Sequence, residues 1–222
     1  MQQLAQKIII ADDHPLFRAA LKQAVAQALP GVETVEADTL AAVQEAVENN
    51  PDADLVLLDI HMPGTNGFSG LVFLRGQNPG MPVVVVSGSE ASHVMKRAID
   101  YGASGFIPKS APLETISEAI LAVLEGEEWL PQEIAENLDE VSEEDQQFAE
   151  ALASLTPQQF RVLTMLTEGL LNKQIAYELN VSEATIKAHV TAILRKLGVH
   201  SRTQAVIAAQ RLGVEPPKTD LG

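Results

Sequence analysis

The sequence predicts an α/β domain built on a doubly wound, five-stranded parallel sheet, followed by a second domain that is all α. Three observations carry this. Short aliphatic runs such as Leu55-Val56-Leu57-Leu58 and Val83-Val84-Val85-Val86 alternate with helical stretches up to about residue 126. Unbroken aliphatic runs of that length suit strands buried on both faces. From Leu155 onward the apolar residues recur at helical spacing alone.

The third observation is charge. The net charge of −15 is unevenly spread. Residues 1–124 hold 7 basic and 14 acidic residues, residues 125–153 hold 11 acidic and no basic ones, and residues 154–222 hold 8 basic and 5 acidic. The expected division is therefore 1–126, an acidic connector over 127–153, and a mildly basic domain over 154–222. A tail of net +3 permits DNA binding that an evenly spread −15 would oppose. The connector reads best as a solvated linker helix, and a DNA-mimicking mask over the basic domain is a second reading. No apolar run reaches the ~18 residues of a membrane span, and residues 1–7 lack a signal-type pattern. The expected compartment is the cytoplasm, with no membrane partner. The absence of cysteine removes disulfides and thiolate metal sites.

The elements follow in order. Strand 7–11 leads to Pro15, which suits the first position of a helix ending at Pro30-Gly31. Strand 32–37 leads to Asp38, a candidate cap for a helix ending at Asn49-Asn50-Pro51. Strand 54–58 precedes a loop and a helix near 68–77, which Gly70 and Gly76 should make less rigid. Strand 82–86 precedes a helix near 90–101, and strand 105–107 precedes one near 112–126. Beyond the connector, Thr156-Pro157 opens a helix whose Phe160, Leu163 and Leu166, with Val162 a further candidate, face a core. Helices near 172–179 and 183–197, joined by Asn180-Val181-Ser182, form a helix-turn-helix. Ser201 to Gln204 reads as a capping box opening the last helix, with Ala205, Ile207 and Ala208 inward.

In such a sheet, ligands bind beyond the carboxyl ends of the strands. Asp12, Asp13, Asp59, Ser87 and Lys109 all stand at strand ends. Three carboxylates, a hydroxyl and an ammonium at one edge suit Mg²⁺ and a phosphoryl group. Asp12 or Asp13 can reach the ion, Asp59 can share it and act as nucleophile, and Lys109 and Ser87 can contact phosphoryl oxygens. Taken singly, Asp13 could cap the helix at Pro15, and Lys109 could form a structural ion pair with Asp59. A transition-metal site at His14 and His61 lacks a third nearby histidine or a cysteine. On the second helix of the helix-turn-helix, Lys187, Ala188 and Thr191 occupy base-reading positions. Asn172, Lys173, Ser182, Thr185 and Arg195 are better placed for phosphates.

The stretches Ala11-Asp12-Asp13-His14, Leu58 to Gly67, Val86-Ser87-Gly88 and Gly102 to Lys109 resemble the receiver domain of two-component response regulators. That domain is flavodoxin-like. The resemblance implies that Asp59 is the phosphoacceptor and that Asp12 and Asp13 form the acidic pair. It further implies that the backbone carbonyl of His61 joins the Mg²⁺ shell, and that Ser87 and Phe106 form a switch pair, with Phe106 moving inward on phosphorylation. Residues 154–212 resemble the LuxR-type helix-turn-helix through Asn172-Lys173-Gln174-Ile175-Ala176, Thr185-Ile186-Lys187-Ala188-His189 and Lys196-Leu197-Gly198-Val199. Leu171 stands where that family has a capping Ser or Thr, so Asn172 must cap or the helix end frays. Together the halves resemble response regulators of the NarL/FixJ type. This implies a sensor histidine kinase as partner, binding to the major groove of double-stranded DNA, a homodimer when phosphorylated, and release of the basic domain. It implies a regulator rather than an enzyme. An aspartyl-phosphate hydrolase would need an Asp-x-Asp-x-Thr spacing at Asp59, and position 61 is His. Two rival roles remain, a phosphorylation-independent interaction module and a helix-turn-helix used only for protein contacts.

Overall fold

A computed structural model describes residues 7–65, 67–131 and 142–213. Five strands, β1 (Lys7–Ala11), β2 (Glu33–Ala37), β3 (Leu55–Asp59), β4 (Val83–Ser87) and β5 (Gly105–Pro108), form one sheet in the order β2-β1-β3-β4-β5. Every pairing is parallel, with Ile9 opposite Val56 and Asp59 opposite Val86. The helices between them are α1 (Pro15–Ala28), α2 (Leu40–Asn49), α3 (Ser69–Gln77) and α4 (Ser92–Asp100), and α5 (Leu113–Leu124) follows β5.

Side chains alternate across the sheet because strand residues point to opposite faces in turn. Ile8, Ile10, Leu55, Leu57, Val84 and Val86 pack against α1 and α5. Ile9, Val56, Leu58, Val83, Val85 and Phe106 join the core formed with α2, α3 and α4. The β5 edge is covered rather than bare: Phe106 N–H donates to the Trp129 carbonyl at 3.0 Å, and Trp129 N–H to the Ser104 carbonyl at 3.2 Å. An unpaired edge would offer a template for association.

The remaining helices are α6 (Glu143–Ala153), α7 (Pro157–Thr167), α8 (Asn172–Glu178), α9 (Glu183–Lys196) and α10 (Arg202–Gln210). The α8–α9 turn is tight because Asn180 adopts φ 51°, a left-handed conformation that Asn tolerates better than most residues. Ile175, Ala176, Ile186, Ile193, Leu197, Ala205 and Ala209 close a core with Phe160, Val162, Leu163 and Leu166 of α7.

Several local expectations need correction. Thr39, not Asp38, caps α2, its hydroxyl accepting from Ala42 N–H. Ser201 accepts from Gln204 N–H, but Gln204 Oε1 accepts from His200 N–H, so the capping box is half made. Asn172 does not cap α8. Gln174 Oε1 instead accepts from Leu171 N–H at 2.7 Å, and the first turn is closed by Ile175 N–H to the Leu171 carbonyl. Ile207 is 54% exposed, because the buried stripe of α10 runs through Ala205 and Ala209, and Ala208 is half-buried. The glycines of α3 serve close packing: a Cβ on Gly70 would lie 3.1 Å from Leu40 Cδ1, and one on Gly76 2.5 Å from Ala153 Cβ.

Candidate functional site: an acidic pocket and an exposed helix

β1 and β3 are neighbours, so their carboxyl ends deliver Asp12 and Asp59 side by side, both fully buried. Lys109, just past β5, reaches across. Its Nζ lies 2.7 Å from Asp12 Oδ2 and 2.8 Å from Asp59 Oδ2. The ring of Phe17 sits 4.9 Å from the same ammonium. Burial raises the Asp12 carboxyl above its usual range, and hydrogen bonds from Lys109 and His14 N–H only partly offset this. Burial also pushes Asp59 upward, but hydrogen bonds from His61 and Lys109 outweigh it and hold Asp59 below the usual range. Burial lowers Lys109, while its bonds to Asp12 and Asp59 more than compensate and raise it. The pocket thus keeps an ionised Asp59 against a charged lysine.

Asp12 Oδ1 accepts from His14 N–H at 2.8 Å, which folds the chain sharply into α1. Asp59 Oδ1 accepts from His61 N–H at 2.9 Å, and Thr65 Oγ1 donates to the Ile60 and Met62 carbonyls, fixing the loop after Asp59. Ser87 is fully buried, and its hydroxyl accepts from Ser89 N–H. Phe106 is fully buried in this structure. Its burial follows from the alternation of β5, which turns Phe106 into the α2–α3–α4 core.

Asp12, Asp13, His14 and Asp59 each offer a ligand atom, all within 4.8 Å of one another. Asp12 Oδ2 and Asp13 Oδ1 are buried without a well-aligned hydrogen bond, although Lys109 Nζ and His14 Nδ1 stand 2.7 and 2.8 Å away. Oxygen-rich groups in this state suit a hard divalent cation. Sequence reasoning sets His14 aside, although it adjoins the acidic pair; its Nδ1 lies 2.8 Å from Asp13 Oδ1. It also misses Phe17 and Arg18, whose guanidinium donates to the Asp12 carbonyl at 2.6 Å. Their α1 periodicity past Pro15 is the signal that could have found them.

The second expected site lies on α9 and the start of α8. Thr185, Lys187, Ala188, Thr191 and Arg195 are exposed together, as is Lys173, and Asn172 is half-buried. Three hydroxyls make internal contacts, Thr185 Oγ1 lying 2.8 Å from Ser182 Oγ. Ser182 caps α9 by accepting from Thr185 N–H, and Thr191 Oγ1 donates to the Lys187 carbonyl. Lys187 pairs with Glu183 at 3.1 Å, an exposed contact weak enough to exchange for a nucleic-acid partner. No helix among the described residues is long and apolar enough to cross a membrane.

A five-stranded 2-1-3-4-5 sheet with a carboxylate–lysine pocket is thus joined to a helix-turn-helix. Residues 8–121 match the response regulator receiver domain, and residues 153–209 match bacterial regulatory proteins of the luxR family. The chain is 45% identical over 208 residues to the glycerol metabolism activator of Pseudomonas putida, covering 91% of this chain and 94% of that protein. It is 36% identical to the nitrate/nitrite response regulator protein NarP of Escherichia coli, covering 90% and 93%. RcsB of Salmonella enterica bound to promoter P1flhDC has the same fold, with a TM-score of 0.52 at 24% identity, covering 94% of this chain and 97% of that one. The chain belongs to the NarL/FixJ-type response regulators, a receiver domain followed by a LuxR-type helix-turn-helix. That family comprises DNA-binding transcription regulators rather than enzymes.

Proposed function

We propose that the chain is a phosphorylation-switched regulator in which Asp59 accepts a phosphoryl group from a sensor histidine kinase with Mg²⁺ bound. The observation that carries this is the contact of Lys109 with both Asp12 and Asp59 in one buried pocket. Asp12, Asp13, Asp59 and the His61 carbonyl would hold the ion, which neutralises charge on the phosphoryl oxygens. Asp59 is the nucleophile. Attack of its Oδ on phosphorus breaks the bond to the donor, and the donor group leaves with the bonding electron pair. Lys109 would then pair with phosphoryl oxygens, and the Ser87 hydroxyl would turn from Ser89 to donate to one. Replacing the single negative charge of Asp59 with an acyl phosphate of about −2 in a buried site biases the receiver toward a second arrangement that favours a homodimer. Residues 1–126 serve as receiver, 127–153 as acidic linker and 154–222 as DNA-binding domain, in the cytoplasm. Trp129 lies on the β5 edge, and the linker segment 132–141 falls outside the described residues.

The direct test treats the full chain with acetyl phosphate and Mg²⁺ and follows Phos-tag migration and DNA gel shift together. The chain shifts and binds DNA more tightly, whereas Asp59→Asn does neither. Phosphorylation of Asp59→Asn overturns the site, and DNA affinity indifferent to acetyl phosphate overturns the switch. The name of the 45% identical relative makes promoters of glycerol utilisation the first DNA fragments to try.

For DNA, the reading helix is α9. Lys187→Ala removes a base contact worth about 1–3 kcal/mol and relaxes specificity at one position. Arg195→Ala and Lys173→Ala weaken all sequences alike and flatten the salt dependence. Binding of randomised DNA separates the two behaviours. Equal losses on every sequence for Lys187→Ala would remove it from base reading.

A further inference from the structure

α2 of the receiver and α7 of the helix-turn-helix domain line a common cavity of about 310 Å³. Leu40, Pro63, Met165 and Leu179 give it a largely apolar wall. Small-molecule sites have this size and character and favour the interfaces between domains. The cavity is separate from the acidic pocket, since none of Asp12, Asp13, Asp59, Ser87 and Lys109 lines it.

Polar groups interrupt that wall. Gln44 of α2 is 7% exposed, and its Nε2 has no hydrogen-bond partner. A buried donor left unpaired is costly, and a ligand acceptor relieves the cost. Arg161 of α7, Glu168 at the end of α7 and Glu178 at the end of α8 are exposed, and none of them makes an ion pair among the described residues. Gln44 and Arg161 also line a neighbouring cavity of about 390 Å³, so these two donors stand together at one end of the first. Arg161 is the only cation lining either cavity among the described residues, against Glu168 and Glu178 in the first and Glu45 and Glu48 in the second. Arg161 and Glu168 are seven residues apart, close to two turns, so they share a face of α7 with about 10 Å of helix between them.

We propose that this cavity is a binding site for a small zwitterion whose carboxylate and ammonium are separated by a short aliphatic chain, the class of the ω-amino acids. The carboxylate pairs with Arg161 and, after a small turn of the Gln44 amide, accepts from its Nε2. The ammonium pairs with Glu168 and Glu178. The aliphatic chain covers Leu40, Pro63 and Met165. A simple carboxylic acid meets repulsion from the two glutamates, and a simple amine meets it from Arg161. An α-amino acid carries both charges on one carbon and reaches a single end of the cavity. The site gives the chain a chemical input that is independent of phosphoryl transfer at Asp59, and it does not rest on the function proposed above.

Calorimetric titration of the full, unphosphorylated chain with ε-aminocaproate, caproate and hexylamine tests this. The parent binds one ε-aminocaproate per chain, about tenfold more tightly than either singly charged probe, the equivalent of one charged hydrogen bond. Arg161→Gln loses that advantage and makes hexylamine the better ligand of the three. The double variant Glu168→Gln with Glu178→Gln shifts the preference the other way, to caproate. Gln44→Leu removes the buried donor while keeping bulk, and it weakens ε-aminocaproate but not hexylamine. Arg161, Glu168 and Glu178 are exposed, so their replacement leaves the fold intact, and a misfolded chain would not exchange one selectivity for another. Absence of saturable ε-aminocaproate binding by the parent overturns the site. Equal affinity for the three probes, or the parent's selectivity retained in both charge variants, overturns the pairing of charges on which it rests.

Discussion

Lys109→Ala is expected to destabilise the chain by about 3–5 kcal/mol at neutral pH, with the loss shrinking as pH falls. Asp12 and Asp59 are fully buried and share this one ammonium at 2.7 and 2.8 Å. Removing it leaves two desolvated carboxylates facing each other. In the parent chain Asp59 is held below its usual range, so its contribution is present above the unfolded carboxylate pKa and is lost as pH drops through the lower folded value. Asp12, raised by burial, works in the opposite sense and gains on protonation. Without Lys109 both carboxylates rise above the unfolded value. The folded variant then takes up protons first, and acidification recovers stability. Urea unfolding of both proteins at pH 7 and at about pH 5 checks the sign. Millimolar Mg²⁺ should recover part of the neutral-pH loss, because an ion that binds only the folded state stabilises it. A deficit that is equal at both pH values would mean that the ammonium does not neutralise these carboxylates.

Phe160→Ala is expected to cost about 3–5 kcal/mol, the range for a buried phenylalanine. The side chain is 1% exposed and belongs to two packings at once, the core of the helix-turn-helix domain and the stack on Phe73. The second can be isolated with a double-mutant cycle. Phe73→Ala should cost less in the Phe160→Ala background than in the parent, by about 0.5–1.5 kcal/mol. The two losses would add within about 0.3–0.5 kcal/mol if the rings were independent. Thermal unfolding of the four proteins gives the coupling, and additivity would show that the stack contributes nothing.

The strands were legible because a parallel sheet buried on both faces needs unbroken aliphatic runs, and Leu55 to Leu58 and Val83 to Val86 are runs of that kind. The pocket was legible for a related reason. Parallel strands share one carboxyl edge, so residues that end separate runs must meet there, as Asp12, Asp59 and Lys109 do. Caps were less legible. Thr39 and Asp38 are both able to cap, and only the backbone direction entering α2 selects Thr39. Gln174 rescues a helix start that Leu171 cannot cap, through a side chain three residues away.

Gly76 and Phe106 mark the boundary most clearly. By itself the sequence determined two domains, the order of their elements and the identity of the groups at the sheet edge, because each follows from local periodicity and strand alternation. Gly76 reads there as a weakness in a helix, since propensity is the only property of glycine visible without neighbours. That α6 comes within 2.5 Å of where its Cβ would stand was decided by tertiary packing alone. Likewise Phe106 was legible as an aromatic near the pocket, but its depth depended on which face β5 turned toward α4. Contacts between parts of the chain far apart in sequence, such as Gln77 with Leu155 or Phe73 with Phe160, leave no periodic trace. They arise only when two independently patterned surfaces meet, and that meeting decides how the two domains stand together.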